Sequence, residues 1–326
     1  MQSVETKTVD APEGNEMATR TQTTTTAPST FRIQLDDETA FSLLKVSPFR
    51  HNYQNHPLMQ LDRLEQLAKL LMRHGRCRFV TSGTTQFSQF LPKLQSTDGL
   101  SIEEVFRRIE EPGSWIGLYY VETDPEYDQF LREVLGTVKH LIDRQQPGTF
   151  IVNGFIFISA PPSATPFHID RENNFWMQIR GRKTLNVWDP TDRQAVGARE
   201  VENFIVNSSL AGVKLQEELL ARSHEFDTGP GDGVYFPSTS PHTTRCDTHW
   251  ARPGDGVAIS IGVNFYTSVT RRRAYIHAFN QFLRRLGVNP RSPGVSTWMD
   301  GLKYPLGRIL MEVRRRFWGR SPPAGF

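Results

Sequence analysis

Leu58, Leu61, Leu64, Leu67 and Leu71 recur at three- and four-residue steps before Gly75, a spacing that predicts an amphipathic helix over residues 57–74. Ser101-Ile-Glu-Glu104 carries the capping signal of a second helix, which ends before Pro112-Gly113. A third is predicted from about Glu126 to Asp143, with Tyr127, Phe130, Leu131, Val134, Leu135, Val138 and Leu141 on one stripe. The texture then changes. From Thr149 to Thr267 short β-runs alternate with turns, at 150–159, 175–180, 183–188, 224–228, 233–236 and 256–267, and Arg180-Gly181-Arg182 reads as a tight hairpin link. Helical spacing returns after Arg271 through Ala274, Ile276, Phe279 and Phe282-Leu283. A last helix is predicted from Pro305, which suits a first helical position, to Trp318.

This order of elements predicts a mainly β fold with flanking helices, as a barrel or double-sheet jelly roll. Residues 1–30 hold nine threonines and no Leu, Ile, Phe, Trp or Tyr, so nothing there offsets the entropy of ordering, and a disordered tail is expected. The remainder divides into a helix-rich part over 31–148 that packs on the barrel, a β-rich core over 149–270 and a basic helical segment over 271–326.

Composition narrows the setting. No apolar stretch approaches the roughly 18 residues of a membrane helix, and the N-terminus has no apolar signal region, so no membrane insertion is expected. Two cysteines, Cys77 and Cys246, far apart, exclude a disulfide framework and fit a soluble cytoplasmic protein. Charge is uneven: residues 271–326 carry twelve Lys/Arg against Asp300 and Glu312, so a chain of net +3 holds −7 over 1–270. A basic end of this kind fits a nucleic-acid or anionic-membrane surface, although a solvated face is the plainer reading and is favoured.

Candidate chemistry sits in the β-rich centre. Thr165-Pro-Phe-His168-Ile-Asp170 is the one His-x-Asp in the chain, and on a strand residues i and i+2 share a face. Pro230-Gly-Asp-Gly-Val-Tyr-Phe-Pro-Ser-Thr-Ser-Pro-His242 offers a third ligand, placed just past the end of a short strand. Two His and one carboxylate match the facial triad of non-haem Fe(II) oxygenases, and zinc accepts the same set. In Lys183-Thr-Leu-Asn-Val-Trp188, parity groups Lys183 with Leu185 and Val187, so an inward apolar face takes the ammonium inward too. Such a burial is costly unless an anion meets it, and a dicarboxylate would; a lysine reaching out from a strand end is the alternative. Further on, Ala258, Ser260, Gly262 and Asn264 form a small-residue face opposite Val257, Ile259, Ile261 and Val263. That face leaves room for a ligand that Asn264 could hydrogen-bond, or it is the solvated side of an ordinary strand.

The run Thr165-Pro-Phe-His-Ile-Asp-Arg-Glu-Asn-Asn-Phe-Trp-Met-Gln-Ile-Arg-Gly-Arg-Lys183 resembles the Jumonji-C, cupin-like 2-oxoglutarate oxygenases. Within them it is most similar to the group that contains the asparaginyl hydroxylase inhibiting the hypoxia-inducible factor. The pattern Thr-Pro-x-His-x-Asp, then Asn-Phe, then Gln-Ile-x-Gly-x-Lys, is present at matching spacing, and the likeness covers about 150–270. The resemblance implies a double-stranded β-helix (cupin) core and Fe(II) on His168, Asp170 and His242. It implies 2-oxoglutarate on Lys183 and Thr165, with Asn174 and Asn264 in support and Tyr119 on the far carboxylate, where Tyr120 competes. It also implies hydroxylation of a C–H bond in a peptide, protein or small molecule. A cupin-like binding protein with a nucleic-acid-binding basic end, and a zinc hydrolase, are the rivals. Phe279, Phe282, Leu283, Leu286, Leu306, Ile309, Leu310 and Val313 supply apolar faces for a homodimer or for covering the barrel.

Overall fold

A computed structural model describes residues 30–80, 84–90, 100–250, 256–318 and 321–326. The tail expected to be disordered lies, but for Thr30, outside the described residues. In chain order the elements are β1 (Ile33–Gln34), β2 (Ser47–His51), α1 (Leu61–Arg73), β3 (Cys77–Val80), α2 (Ile102–Arg107), β4 (Trp115–Tyr119), α3 (Pro125–Gly136) and α4 (Lys139–Gln145). There follow β5 (Phe150–Ser159), β6 (Ser163–His168), β7 (Asn173–Arg180), β8 (Lys183–Val187), α5 (Ala198–Asn207), β9 (His224–Thr228), β10 (Asp232–Phe236) and β11 (His242–Cys246). The chain continues through β12 (Ala258–Tyr266), α6 (Ser268–Arg285) and α7 (Thr297–Trp318).

Two antiparallel sheets form the double layer of a jelly roll. The larger runs β1-β2-β10-β7-β12-β5-β4-β3 and the smaller β6-β11-β8-β9. Alternation along the central strands assigns the faces. On β7, Phe175, Met177 and Ile179 join Ile259, Ile261, Val263 and Phe265 of β12 in a core that α1 and α3 cover through Leu64, Leu67, Tyr127, Phe130 and Leu131. The opposite face of the large sheet meets the small one: Trp176 packs with Leu185, Val187, Val234 and Phe236. A third cluster joins Phe167, Ile169 and Trp188 to α5 through Val201, Phe204 and Ile205, and to α6 and α7 through Ala274, Ala278 and Met311.

Several sequence expectations change here. The region read as helix-rich, 31–148, also supplies β1 to β4, which extend the large sheet at both edges. Those strands are short and lack clean alternation, so periodicity hid them. The Arg180-Gly181-Arg182 link is no hairpin, because β7 and β8 belong to different sheets. Gly181 turns the chain between layers at φ +65, and a Cβ there would stand 2.9 Å from the Ala258 Cα. The helix predicted over 126–143 breaks into α3 and α4 after Gly136, where the Thr137 hydroxyl donates back to the Val134 carbonyl at 2.7 Å. Pro305 lies inside α7 rather than at its start. The carbonyl that its missing N–H would have used belongs to exposed Gly301, which water can satisfy. Among the described residues no helix is long and apolar enough to cross a membrane.

Candidate active site

His168 ends β6 and His242 opens β11, and the two are Cα partners across that ladder. Register alone therefore brings the imidazoles together, with ring centroids 4.1 Å apart. Asp170 lies beyond the end of β6, where its carbonyl accepts a hydrogen bond from the Thr239 N–H at 2.8 Å. Its Oδ2 stands 3.9 Å from His168 Nε2 and 3.5 Å from His242 Nε2. One ligand atom from each residue falls within 4.8 Å of the others. One detail of the sequence reading is corrected: His-x-Asp leaves its strand at the His, so a turn rather than strand alternation aims the carboxylate; His242 lies past the end of β10 and opens the next strand, β11.

Both imidazoles are anchored alike. His168 Nδ1 lies 2.8 Å from the Pro166 carbonyl and His242 Nδ1 lies 3.1 Å from that of Ser240. A carbonyl only accepts, so each Nδ1 carries the hydrogen and each Nε2 keeps its lone pair for an ion. Burial, with His242 alongside, pushes His168 down to about 4, so it is neutral at pH 7. Phe90 stacks on its ring at 4.3 Å and 15°.

The three residues open into a cavity of about 280 Å³ between the sheets, walled by Thr165, Asn174, Tyr119, Trp176, Phe157 and Ser260 among others. Thr165 stands opposite Thr244 on the β6–β11 ladder. Lys183 is 2% exposed, and its Nζ donates to Ser260 Oγ at 3.0 Å. Burial pushes this ammonium down to about 8. Asn174 and Asn264 are Cα partners on β7 and β12, both buried. Among the described residues the Asn174 amide oxygen and both amide atoms of Asn264 have no hydrogen-bond partner. The small-residue face of β12 is thus the one turned toward the cavity: a Cβ at Gly262 would meet the Asn174 amide nitrogen at 2.9 Å. Tyr119 is buried, accepts a hydrogen bond from Arg78 at 3.3 Å and lies under that guanidinium at 4.2 Å. Tyr120 also lines the cavity but is 44% exposed.

Sequence reasoning missed Arg78, Phe90 and Glu172. Glu172 accepts a hydrogen bond from the Tyr266 hydroxyl at 2.8 Å, and burial with Asp170 nearby raises its pKa. Its place two residues after Asp170 continues the His-x-Asp spacing and was the available signal; Arg78 and Phe90 sit in segments with no motif.

A model of the cupin-like domain family matches residues 13–271. The chain belongs to that family. The match is to the family at large and does not single out the asparaginyl hydroxylase group. Among curated proteins none matches the chain. The cupin-like chain is similar to YcfD, a ribosomal oxygenase from Escherichia coli, solved in complex with cobalt and 2-oxoglutarate, at 17% identity and TM-score 0.45 over 88% of this chain and 69% of that one. It is likewise similar to YcfD in complex with cobalt and succinic acid, at 15% identity and TM-score 0.41 over 87% and 69% of the two chains.

Proposed function

We propose that this protein is an Fe(II)- and 2-oxoglutarate-dependent oxygenase that hydroxylates a C–H bond of a protein, peptide or small-molecule substrate. The observation that carries the reading is the pairing of three convergent donors with a buried lysine that meets no anion among the described residues. His168, Asp170 and His242 present two imidazoles and a carboxylate to one point, and the anchored Nδ1 atoms leave the Nε2 atoms free. A hydrolytic zinc site needs no buried ammonium, whereas a dicarboxylate cosubstrate supplies the charge that Lys183 lacks. Val187 is the Cα partner of His242, and Lys183 lies four residues back along β8, about 13 Å at strand rise. A lysine side chain and a five-carbon diacid laid end to end cover that span, which orients the keto acid toward the three donors.

When bound, iron supplies dioxygen activation coupled to decarboxylation of 2-oxoglutarate to succinate and carbon dioxide. This chain's residues hold and shield the reactants. Lys183 and Thr165 take the far carboxylate with Tyr119 beside it, and the Asn174 amide adds to the polar lining, with Asn264 behind it as its Cα partner on β12. Trp176 and Phe157 exclude water from one side. Asp170 would hold the iron together with His168 and His242, and a carboxylate in that set favours hydroxylation over halogenation. The test is succinate release, followed by NMR, from purified protein with Fe(II), ascorbate and 2-oxoglutarate, against the same protein loaded with zinc. Turnover only with iron supports the reading; succinate from neither form overturns it.

A cytoplasmic setting suits Cys77 and Cys246, which are both buried free thiols. We also propose a homodimer through α7. Leu302, Leu306, Ile309, Val313 and Phe317 are exposed at three- and four-residue steps along it, the stripe a second helix needs. Light scattering should give twice the chain mass for the wild type and the monomer mass for Ile309→Asp; a monomeric wild type removes the proposal.

A further inference from the structure

Behind the C-terminal helices lies a second cavity, of about 60 Å³, which the proposed reaction does not use. It is walled by Arg273 and His277 of α6, by Arg193 in the segment before α5, and by Ser238 and Thr239 between β10 and β11. Its chemistry is one-sided. Arg273 has no hydrogen bond or ion pair among the described residues, and Arg193 has only the Ser292 hydroxyl at 3.5 Å. His277 is 7% exposed and, among the described residues, its Nδ1 has no partner.

The acidic groups nearby are committed elsewhere. Glu202 holds Arg284 at 2.8 Å, Asp192 holds Arg222 at 2.9 Å, and Asp300 accepts the Gly294 N–H at 2.7 Å. Of the other cations close by, Lys303 donates to the Arg291 carbonyl at 2.8 Å, and Arg171, which also walls the cavity, donates to the Ile205 carbonyl at 3.4 Å and the Ser208 hydroxyl at 3.0 Å. Burial, followed by Arg193, Arg273, Lys303 and Arg284, pushes His277 down to about 3, and burial lowers both Arg193 and Arg273. The cavity is therefore a place of positive potential from which charge has not been removed. Two half-buried guanidiniums without a carboxylate are costly, and their planar forks match a tetrahedral oxyanion. The enclosed volume holds a few waters or one such ion, and nothing as large as a nucleotide.

We propose that this cavity is a binding site for a small tetrahedral oxyanion of the phosphate class, held between Arg193 and Arg273 with the imidazole of His277 on a third side. An occupant there would tie α6 to the loop whose Thr239 N–H donates to the Asp170 carbonyl at 2.8 Å, and so would brace the metal-ligand turn from behind.

The experiment is a thermal melt of the full chain in chloride, phosphate, sulfate or succinate at one ionic strength, with phosphate affinity measured by calorimetry. The wild type and Lys183→Ala should both melt several degrees higher in phosphate than in chloride. Arg273→Gln and Arg193→Gln should bind phosphate at least tenfold more weakly. In chloride the Arg273→Gln melt should not fall, because a repelled charge has gone. Arg273→Lys, which keeps the charge but not the fork, should bind with intermediate affinity and serves if the glutamine variant does not fold. Three results would overturn the site: no gain in phosphate, a gain that survives in all the Arg variants, or a gain lost only in Lys183→Ala. A larger gain in succinate than in phosphate would overturn the tetrahedral assignment.

Discussion

Replacing Lys183 with methionine should make the ligand-free protein more stable while destroying its hold on 2-oxoglutarate. The ammonium is buried, with Ser260 Oγ as its hydrogen-bond acceptor, and its pKa falls from 10.5 to about 8. The unfolded chain therefore binds the proton more tightly than the folded one between these values. Stability of the ligand-free protein rises with pH through that window, and below pH 8 the full penalty applies, about 3 kcal/mol. Methionine fills a similar volume without a charge, but it leaves the Ser260 hydroxyl unmet at a cost of about 1–2 kcal/mol. The net gain of about 1–2 kcal/mol corresponds to a melting point higher by roughly 2–6 °C at pH 7. The difference between wild type and variant should shrink as pH rises from 8 to 10.5, read from urea melts across the window. In calorimetry, 2-oxoglutarate should bind the variant on the order of 10²–10³-fold more weakly, since one member of a buried charge pair is gone. A variant that melts lower than the wild type at pH 7, or that binds the diacid equally well, refutes the claim that this lysine waits for an anion.

Other consequences follow from named contacts. His168→Ala or Asp170→Ala should abolish succinate formation while each variant still melts cooperatively, because these proposed metal ligands contribute little to the three apolar cores; full turnover in either would exclude the triad. Glu202→Ala leaves Arg284 buried without its partner, the pair being 2% and 12% exposed at 2.8 Å, so it should lose about 3–5 kcal/mol in urea unfolding. A loss near zero would mean the contact between α5 and α6 does not depend on it. Gly307→Ala should separate α7 from α6, since a Cβ there would sit 2.0 Å from the Tyr275 carbonyl oxygen, and about 1–3 kcal/mol of stability should go with it. Unchanged melting would mean the two helices shift apart freely.

What the sequence made legible divides along physical lines. Long amphipathic stripes such as Leu64–Leu67–Leu71 were visible because a helix repeats its signal over many turns, and β5 and β12 because they are nine or ten residues long. The two-residue β1 and the four-residue β3 carry too few positions to show a period, and their place at the sheet edge is decided by partners distant in the chain. Pro305 suits a helix start by its sequence, yet it sits inside α7, because a proline within a helix is tolerated where the carbonyl four residues back can turn to water, as that of exposed Gly301 can.

The site was legible in its residues and less so in its geometry. The spacing of His168 and Asp170 suggested one face of one strand, yet the pair forms because β6 stops at the histidine and the chain turns. His242 joins them through a cross-strand register that no linear spacing encodes. Lys183 was the opposite case. Its parity with Leu185 and Val187 is a local property of β8, so the sequence favoured an inward ammonium over one reaching out from the strand end, and Ser260 meets it from the other sheet. Arg78 and Phe90 were invisible because they reach the cavity from outside the two strands that carry the motif. Residues that act through strand parity can thus be read from a motif, whereas those that act through packing between segments need the fold. By that rule the substrate-contacting groups of this protein should be sought among the walls that Arg78, Phe90 and Tyr120 contribute, not within the motif itself.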